Sequence, residues 1–131
     1  MSELNPKGNA LTIGKRTYNL VFSVNIIDDI QDRFDKPISE LPTLLQDERM
    51  RFKVTKYLVC ALVNEAVDIH NDTSDEKWEK VDERYIGRNM TTQNIATYTT
   101  VIMKTFADSA PKVDDDPNAA RAVEEKSTLP E

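Results

Sequence analysis

The sequence predicts a mainly α-helical fold that opens with a small β-hairpin, an α+β arrangement of three to five helices around one central apolar helix. Three observations support this prediction. Apolar and polar residues alternate over residues 10–22, residues 48–70 include a stretch that is apolar nearly all round, and apolar residues recur at helical spacing over residues 95–106. The chain of 131 residues has the length of one domain, which we place at residues 10–110.

The segment ALTIGKRTYNLVF, residues 10–22, predicts the hairpin. Leu11 and Ile13 alternate with Thr12 on the first strand. Gly14-Lys15 fits a two-residue turn with glycine first. The second strand has its apolar side chains at Tyr18, Leu20 and Phe22. One face of the hairpin is therefore apolar and must be covered by another element, while the polar residues 1–9 are expected to be flexible.

Helical signals follow the hairpin. Ser23 is placed to cap a first helix that runs to about Phe34 and is stopped at Lys36-Pro37. Residues 37–47 form a connection anchored by three leucines. Asp47 is placed to cap the longest helix, residues 48–70, whose middle KYLVCALVNEA places it at the centre of the fold.

Two further helices are predicted. Residues 73–76, TSDE, have the form of a capping box, and the short helix after them would present Trp78, Val81 and Tyr85 until Gly87 breaks it. Thr92 or Thr91 opens the last helix, which ends at about Ser109. Its apolar stripe consists of Ile95, Tyr98, Ile102 and Phe106. Residues 111–131 lack aromatic side chains and predict a disordered acidic tail.

Composition excludes several classes of function. A net charge of −6 with a pI near 4.8 argues against a nucleic-acid binder, which needs clustered cations. The single cysteine excludes an internal disulfide and fits a reducing cytoplasm. The longest apolar run, residues 57–63, is far shorter than a membrane span.

The segment DDIQD, residues 28–32, matches the aspartate-rich pattern with which terpenoid synthases hold magnesium and a diphosphate. On a helical wheel, however, Asp28, Asp32 and Asp35 form a stripe opposite the apolar face. A magnesium–diphosphate site would need these carboxylates in a cavity that faces a second acidic cluster and basic residues. We therefore interpret them as a solvated helix face and not as a metal site.

No other residues form a catalytic set. Cys60 and His70 lie ten residues apart on one helix, which separates them by about 15 Å of rise and prevents a nucleophile pair within it. Cys60 is expected in the core, and His70 is expected as a cation near the helix end. The basic strip at Arg49, Arg51, Lys53 and Lys56 is interpreted as solvated first turns, with contact to an acidic partner as the alternative. We expect no enzyme activity, no cofactor and no metal.

Two segments carry a resemblance to a known family. Residues 11–35, LTIGKRTYNLVFSVNIIDDIQDRFD, resemble the start of tail assembly chaperones from long-tailed bacteriophages. Those proteins open with a short strand, a Gly-Lys turn, a second strand ending in an aromatic residue, and a helix closed by an acidic-Arg/Lys-Phe segment. Residues 85–106, YIGRNMTTQNIATYTTVIMKTF, resemble their final segment. The overall plan covers residues 10–109.

The resemblance implies a non-enzymatic protein of the host bacterial cytoplasm that is absent from the finished virion. It implies binding to the tape measure protein, which is kept soluble, and recruitment of tail tube subunits; self-association is left open. Many members have a longer frameshifted form, for which the acidic tail would be the tether. The partner-binding residues expected on this basis are Tyr18, Ile95, Tyr98, Ile102 and Phe106.

Two alternatives stay open at this point. The stripe of the last helix is either plain core or a docking groove for a partner helix. The chain as a whole could instead be a small acidic adaptor, such as a phage-encoded inhibitor of a host protein whose acidic surface mimics nucleic acid.

Overall fold

The computed structural model describes residues 9–109, which form a two-stranded hairpin and five α-helices. The strands are β1 (Asn9–Ile13) and β2 (Arg16–Leu20). The helices are α1 (Val24–Phe34), α2 (Leu41–Gln46), α3 (Arg51–Thr73), α4 (Glu83–Asn89) and α5 (Ile95–Ser109), with a 3-10 turn at Ile38–Glu40 before α2. The predicted fold class is confirmed. Of residues 1–9, which were predicted to be flexible, only Asn9 lies within the described range, and it belongs to β1. The predicted acidic tail lies wholly outside the described range.

The hairpin has the predicted register and turn. Leu11 pairs with Tyr18, and Ile13 pairs with Arg16 across the two-residue turn. Gly14 has a φ of 63°, and Lys15 does not share that positive φ, which is the pattern of a type II′ turn. The apolar face is buried because β2 packs on α3 and β1 packs on α5.

Helix α3 is the centre of the fold, as its apolar composition predicts. It contacts β2, α1, α2, α4 and α5. Its fully buried apolar side chains are Val54, Leu58, Val59, Leu62, Val63 and Val67. Within residues 9–109, no helix is long and apolar enough to cross a membrane.

Local capping signals decide where two helices begin. The Ser23 hydroxyl accepts a hydrogen bond from Ile26 N at 3.2 Å and caps α1 as predicted. Asp47 Oδ1 accepts from Arg49 N at 2.8 Å and Met50 N at 3.0 Å. Because these bonds form a turn, α3 begins three residues later than predicted, at Arg51, and it continues to Thr73.

The predicted helix after residues 73–76 is wrong. Residues 74–82 contain no helix, and α4 begins at Glu83, where the Asp82 side chain accepts a hydrogen bond from Tyr85 N at 2.8 Å. Gly87 lies inside α4 and does not break it. Thr92 and Thr91 were the two residues predicted to open the last helix. The structure has Thr91 in that role, because its hydroxyl accepts a hydrogen bond from Asn94 N at 3.1 Å in the turn that leads into α5.

Candidate interaction surfaces

The five residues predicted to contact a partner lie mainly in the core of the chain itself. Tyr18, Ile95, Tyr98 and Ile102 are at most 8% exposed. Phe106 is half-buried and meets Phe22 edge-on, with ring centroids 5.7 Å apart. The stripe of α5 therefore packs against its own hairpin and α3. That these residues contact a partner stays a prediction. Tyr18 also lines a concavity at the turn end of the hairpin, and Ile95 lines an open groove beside α5.

This groove, the α5 groove, lies between α2, the start of α3 and the outer side of α5, and it encloses about 310 Å³. Its lining residues are Leu45, Gln46, Arg51, Ile95, Ala96, Thr99 and Thr100. The Thr99 hydroxyl donates to Ile95 O at 2.9 Å within the helix, so this polar group is already satisfied. The α5 residues of the groove are uncharged, and Arg51 is the one charged residue of the lining.

A second surface is built on residues 74–82, which we call the strap. The strap is extended over α3 and is attached by two asparagines of that helix. Asn64 Nδ2 donates to Val81 O at 2.9 Å, and Val81 N donates to Asn64 Oδ1 at 2.8 Å. Asn71 makes the same pair of bonds with Trp78 O and Trp78 N, at 2.9 and 2.8 Å. These bonds satisfy backbone groups that a helix would have satisfied internally.

Trp78 lies at the centre of an aromatic and cationic cluster. The His70 ring stacks on it with centroids 3.6 Å apart and planes 10° apart. The Arg16 guanidinium carbon lies 4.2 Å from the centre of the Trp78 ring, a cation–π geometry. Tyr18 meets Trp78 edge-on at 6.0 Å, and burial raises the pKa of the Tyr18 hydroxyl. The cluster joins β2, the end of α3 and the strap.

The aspartates of α1 point away from the interior. Asp28, Asp29, Asp32 and Asp35 are all exposed, whereas Ile26 and Ile30 of the same helix are buried. Among residues 9–109, no three acidic, histidine or cysteine side chains are grouped as a metal site would require. The carboxylate stripe is therefore a charged outer surface of the described fold.

Cys60 and His70 have separate surroundings. Burial, with the carboxylates of Glu83 and Asp82 nearby, raises the pKa of the Cys60 thiol to about 11. The thiol donates to Val81 O at 3.6 Å, whereas His70 Nε2 is hydrogen-bonded to Glu76 O at 2.8 Å. At neutral pH the thiol is protonated and buried, which is the opposite of a reactive thiolate.

The sequence reasoning missed Asn64 and Asn71 as structural residues. One signal for them is present in the sequence. Asparagine is a poor helix former, and here two asparagines stand seven residues apart in the central helix, which places them two turns apart on one face. Polar residues at this spacing indicate that a second segment runs along the helix.

The α5 groove and the strap with its Trp78 cluster are two concave parts of the fold in which apolar or aromatic side chains lie beside cations. Neither surface brings together a nucleophile and a base. Comparison of the chain with protein-family models, with curated proteins and with solved structures finds no match.

Proposed function

We propose that this chain is a non-enzymatic tail assembly chaperone of a long-tailed bacteriophage. In this proposal it binds the tape measure protein in the host cytoplasm, keeps that protein from aggregating, recruits tail tube subunits and is left out of the finished virion. Support comes from the resemblance of residues 11–35 and 85–106 to that family and from the α5 groove.

The observation that carries the proposal is the lack of charge on the outer side of α5. In a chain with 31% charged residues, α5 has none from Ile95 to Met103. The two charged residues of its last turns, Lys104 and Asp108, pair with each other at 3.8 Å. An uncharged helix face beside an apolar groove is where a second apolar helix can lie.

The spacing of the outer residues suits a helical partner. Ala96, Thr99, Thr100 and Met103 follow the i, i+3, i+4, i+7 pattern of one helix face. Small side chains at the first three positions allow the backbones of two helices to approach closely. We therefore propose that an apolar helix of the tape measure protein lies in the α5 groove, with Arg51 available to a carboxylate on that helix.

The acidic surface of α1 has a role in the same proposal. A tape measure protein is expected to be a long apolar helical chain that aggregates when bare. The exposed carboxylates of α1, Asp28, Asp29, Asp32 and Asp35, would face water in the complex and keep it dispersed by charge repulsion.

The proposal expects a tape measure protein to be encoded beside this chain. The test is co-expression with that protein, scored by its fraction in the supernatant after centrifugation and by co-purification. The wild-type chain should keep most of the tape measure protein in the supernatant. Ala96→Glu places a charge in the groove and should remove that effect. Thr97→Glu is the matched control, because Thr97 is the next residue, is also exposed and does not line the groove.

The results of this experiment distinguish a failure of the chaperone proposal from a failure of the α5 groove as its contact surface. If the wild-type chain leaves the tape measure protein in the pellet, the chaperone proposal is wrong, and the acidic adaptor is the alternative to pursue. If the wild-type chain works and both variants work equally well, the function stands and the α5 groove is not the contact surface.

A further inference from the structure

Two adjoining concavities lie at the turn end of the hairpin, and we call them together the Trp78 concavity. They enclose about 500 and 690 Å³ and share Arg16, Trp78 and Tyr85 in their lining. The concavity is formed by the Gly14-Lys15 turn, the strap and α4. It lies apart from the residues that line the α5 groove, and the chaperone proposal does not use it.

The Trp78 concavity is positively charged in an acidic chain. Two carboxylates in its lining, Glu79 and Asp82, face five cations. The cations are Lys15, Arg16, Lys77, Lys80 and Arg88. Among residues 9–109, only Lys80 of these cations has a carboxylate within salt-bridge distance, Asp68 at 3.2 Å. An excess of cations without carboxylate partners attracts a negatively charged ligand.

The cations are partly fixed in place. Arg16 is held over the Trp78 ring at 4.2 Å, and the Trp78 backbone is held by the Asn71 side chain. Lys77 Nζ donates to Asn71 O at 2.6 Å and Ser74 O at 2.9 Å. Backbone carbonyls carry no net charge, so these two hydrogen bonds hold the Lys77 ammonium in place without neutralising its positive charge. Because these groups are ordered beforehand, binding of an anion costs less side-chain entropy.

We propose that the Trp78 concavity binds the acidic segment Asp114–Asp116 of the same chain. This segment is the longest uninterrupted run of carboxylates in the sequence. Its charge is complementary to that of the concavity, whereas the rest of the fold carries a net negative charge and repels it. Docking would place the three carboxylates beside Lys15, Lys77 and Arg88.

The length of the chain allows this contact. The end of α5 is fixed beside the open end of the hairpin, because Asn9 Nδ2 donates to Thr105 Oγ1 at 3.2 Å and to Asp108 Oδ2 at 3.1 Å. From Asn9 to the turn at Gly14 the strand covers about 17 Å. The six residues from Ser109 to Asp115 can span up to about 20 Å. The acidic run can therefore reach the turn end of the hairpin without any rearrangement of the described fold.

The test is zero-length carbodiimide cross-linking of the full chain, followed by digestion and mass spectrometry. The reagent joins a carboxylate to a lysine amine only when the two are in contact. We expect the peptide that contains Asp114–Asp116 to be linked to Lys15 or Lys77 in monomeric protein, at least fivefold more often than to Lys53. Lys53 is the control because it is exposed, has no ion pair among residues 9–109 and lies outside the concavity.

Two full-length variants complete the test. Neutralising the run with Asp114→Asn, Asp115→Asn and Asp116→Asn should change the emission of Trp78, the only tryptophan, and should abolish the dependence of that emission on salt. Arg88→Glu should reduce the cross-links to Lys15 and Lys77 severalfold. The proposal is overturned if Lys53 is linked as often as Lys15 and Lys77, if the links occur only between two copies, or if the neutralised variant has unchanged Trp78 emission.

Discussion

Asn64 and Val81 form a two-point hydrogen bond in which a helix side chain binds both backbone groups of a residue in the strap. Asn71 repeats the arrangement with Trp78. Seven residues of helix rise by about 10.5 Å, and three residues of extended chain cover about 10 Å. The two asparagines therefore match the strap in length, which explains why it lies along α3 as an extended segment.

The first prediction concerns these asparagines. Asn64→Ala and Asn71→Ala should each lower the free energy of unfolding by about 1–3 kcal/mol. Asn71→Ala removes the side-chain partner of the Trp78 N–H and C=O, whereas Asn64→Ala removes that of the Val81 N–H and leaves Val81 O with the Cys60 thiol alone. Urea unfolding measures the loss. Asn25→Ala is the matched control, since Asn25 is exposed on α1 and should cost less than about 0.5 kcal/mol. Equal losses in all three variants would show that the paired bonds do not hold the strap.

Two fully buried threonines make a second, matched pair. The Thr55 hydroxyl has no hydrogen-bond partner within residues 9–109, whereas the Thr105 hydroxyl donates to Val101 O at 2.7 Å and accepts from Asn9 Nδ2. Thr55→Val should raise the free energy of unfolding by about 1 kcal/mol, and Thr105→Val should lower it by about 1 kcal/mol. Thermal or urea unfolding of the two variants checks the sign. A loss of stability in Thr55→Val would mean that its hydroxyl is satisfied in solution.

The third prediction concerns pH. In the folded chain, burial raises the pKa of the Cys60 thiol from 9.0 to about 11. Between these values the unfolded chain loses the proton first and binds fewer protons, so the stability that is fully present below pH 9 is lost as pH rises towards 11. Burial also raises the pKa of Tyr18, Tyr57 and Tyr98 above the ordinary value of 10.0, so these groups act in the same direction from about pH 10 upward.

The contribution of the thiol is isolated by comparison with Cys60→Ala. From pH 8 to 10.5, urea unfolding should show a larger loss of stability in the wild-type chain than in this variant. Iodoacetamide should also label Cys60 slowly in the folded chain and quickly in urea. Parallel stability profiles in the two proteins, or fast labelling of the folded chain, would contradict the buried environment of the thiol.

The fourth prediction concerns the hairpin turn. Gly14 has a φ of 63°, and a Cβ added to it would lie 2.7 Å from the Tyr85 hydroxyl oxygen. Gly14→Ala should therefore lower the free energy of unfolding by more than about 1 kcal/mol. In a Tyr85→Phe background the next nearest atom would be the ring carbon at 4.0 Å, an ordinary contact, so the same substitution should cost less. Equal costs in both backgrounds would assign the whole effect to backbone strain.

Much of the fold could be predicted because its signals are local. The alternation around Gly14-Lys15 predicts the hairpin, Ser23 predicts the start of α1, and the apolar middle of α3 predicts its central position. Periodicity also predicts that the stripe Ile95, Tyr98, Ile102 and Phe106 lies on one side of α5. These features depend on backbone geometry within a few residues, which is why one sequence suffices to infer them.

The strap and the two surfaces were decided by packing between distant segments. Residues 73–76 have a capping signal, yet Asn64 and Asn71 bind the following residues as an extended chain, and bonds of this kind outweigh a weak local preference. Periodicity alone also left open whether the α5 stripe meets the core or a partner. The stripe packs against the hairpin and α3, and the small residues Ala96, Thr99 and Thr100 lie on the outer side of α5. This orientation is favoured because burying large apolar side chains stabilises the fold more than burying small ones.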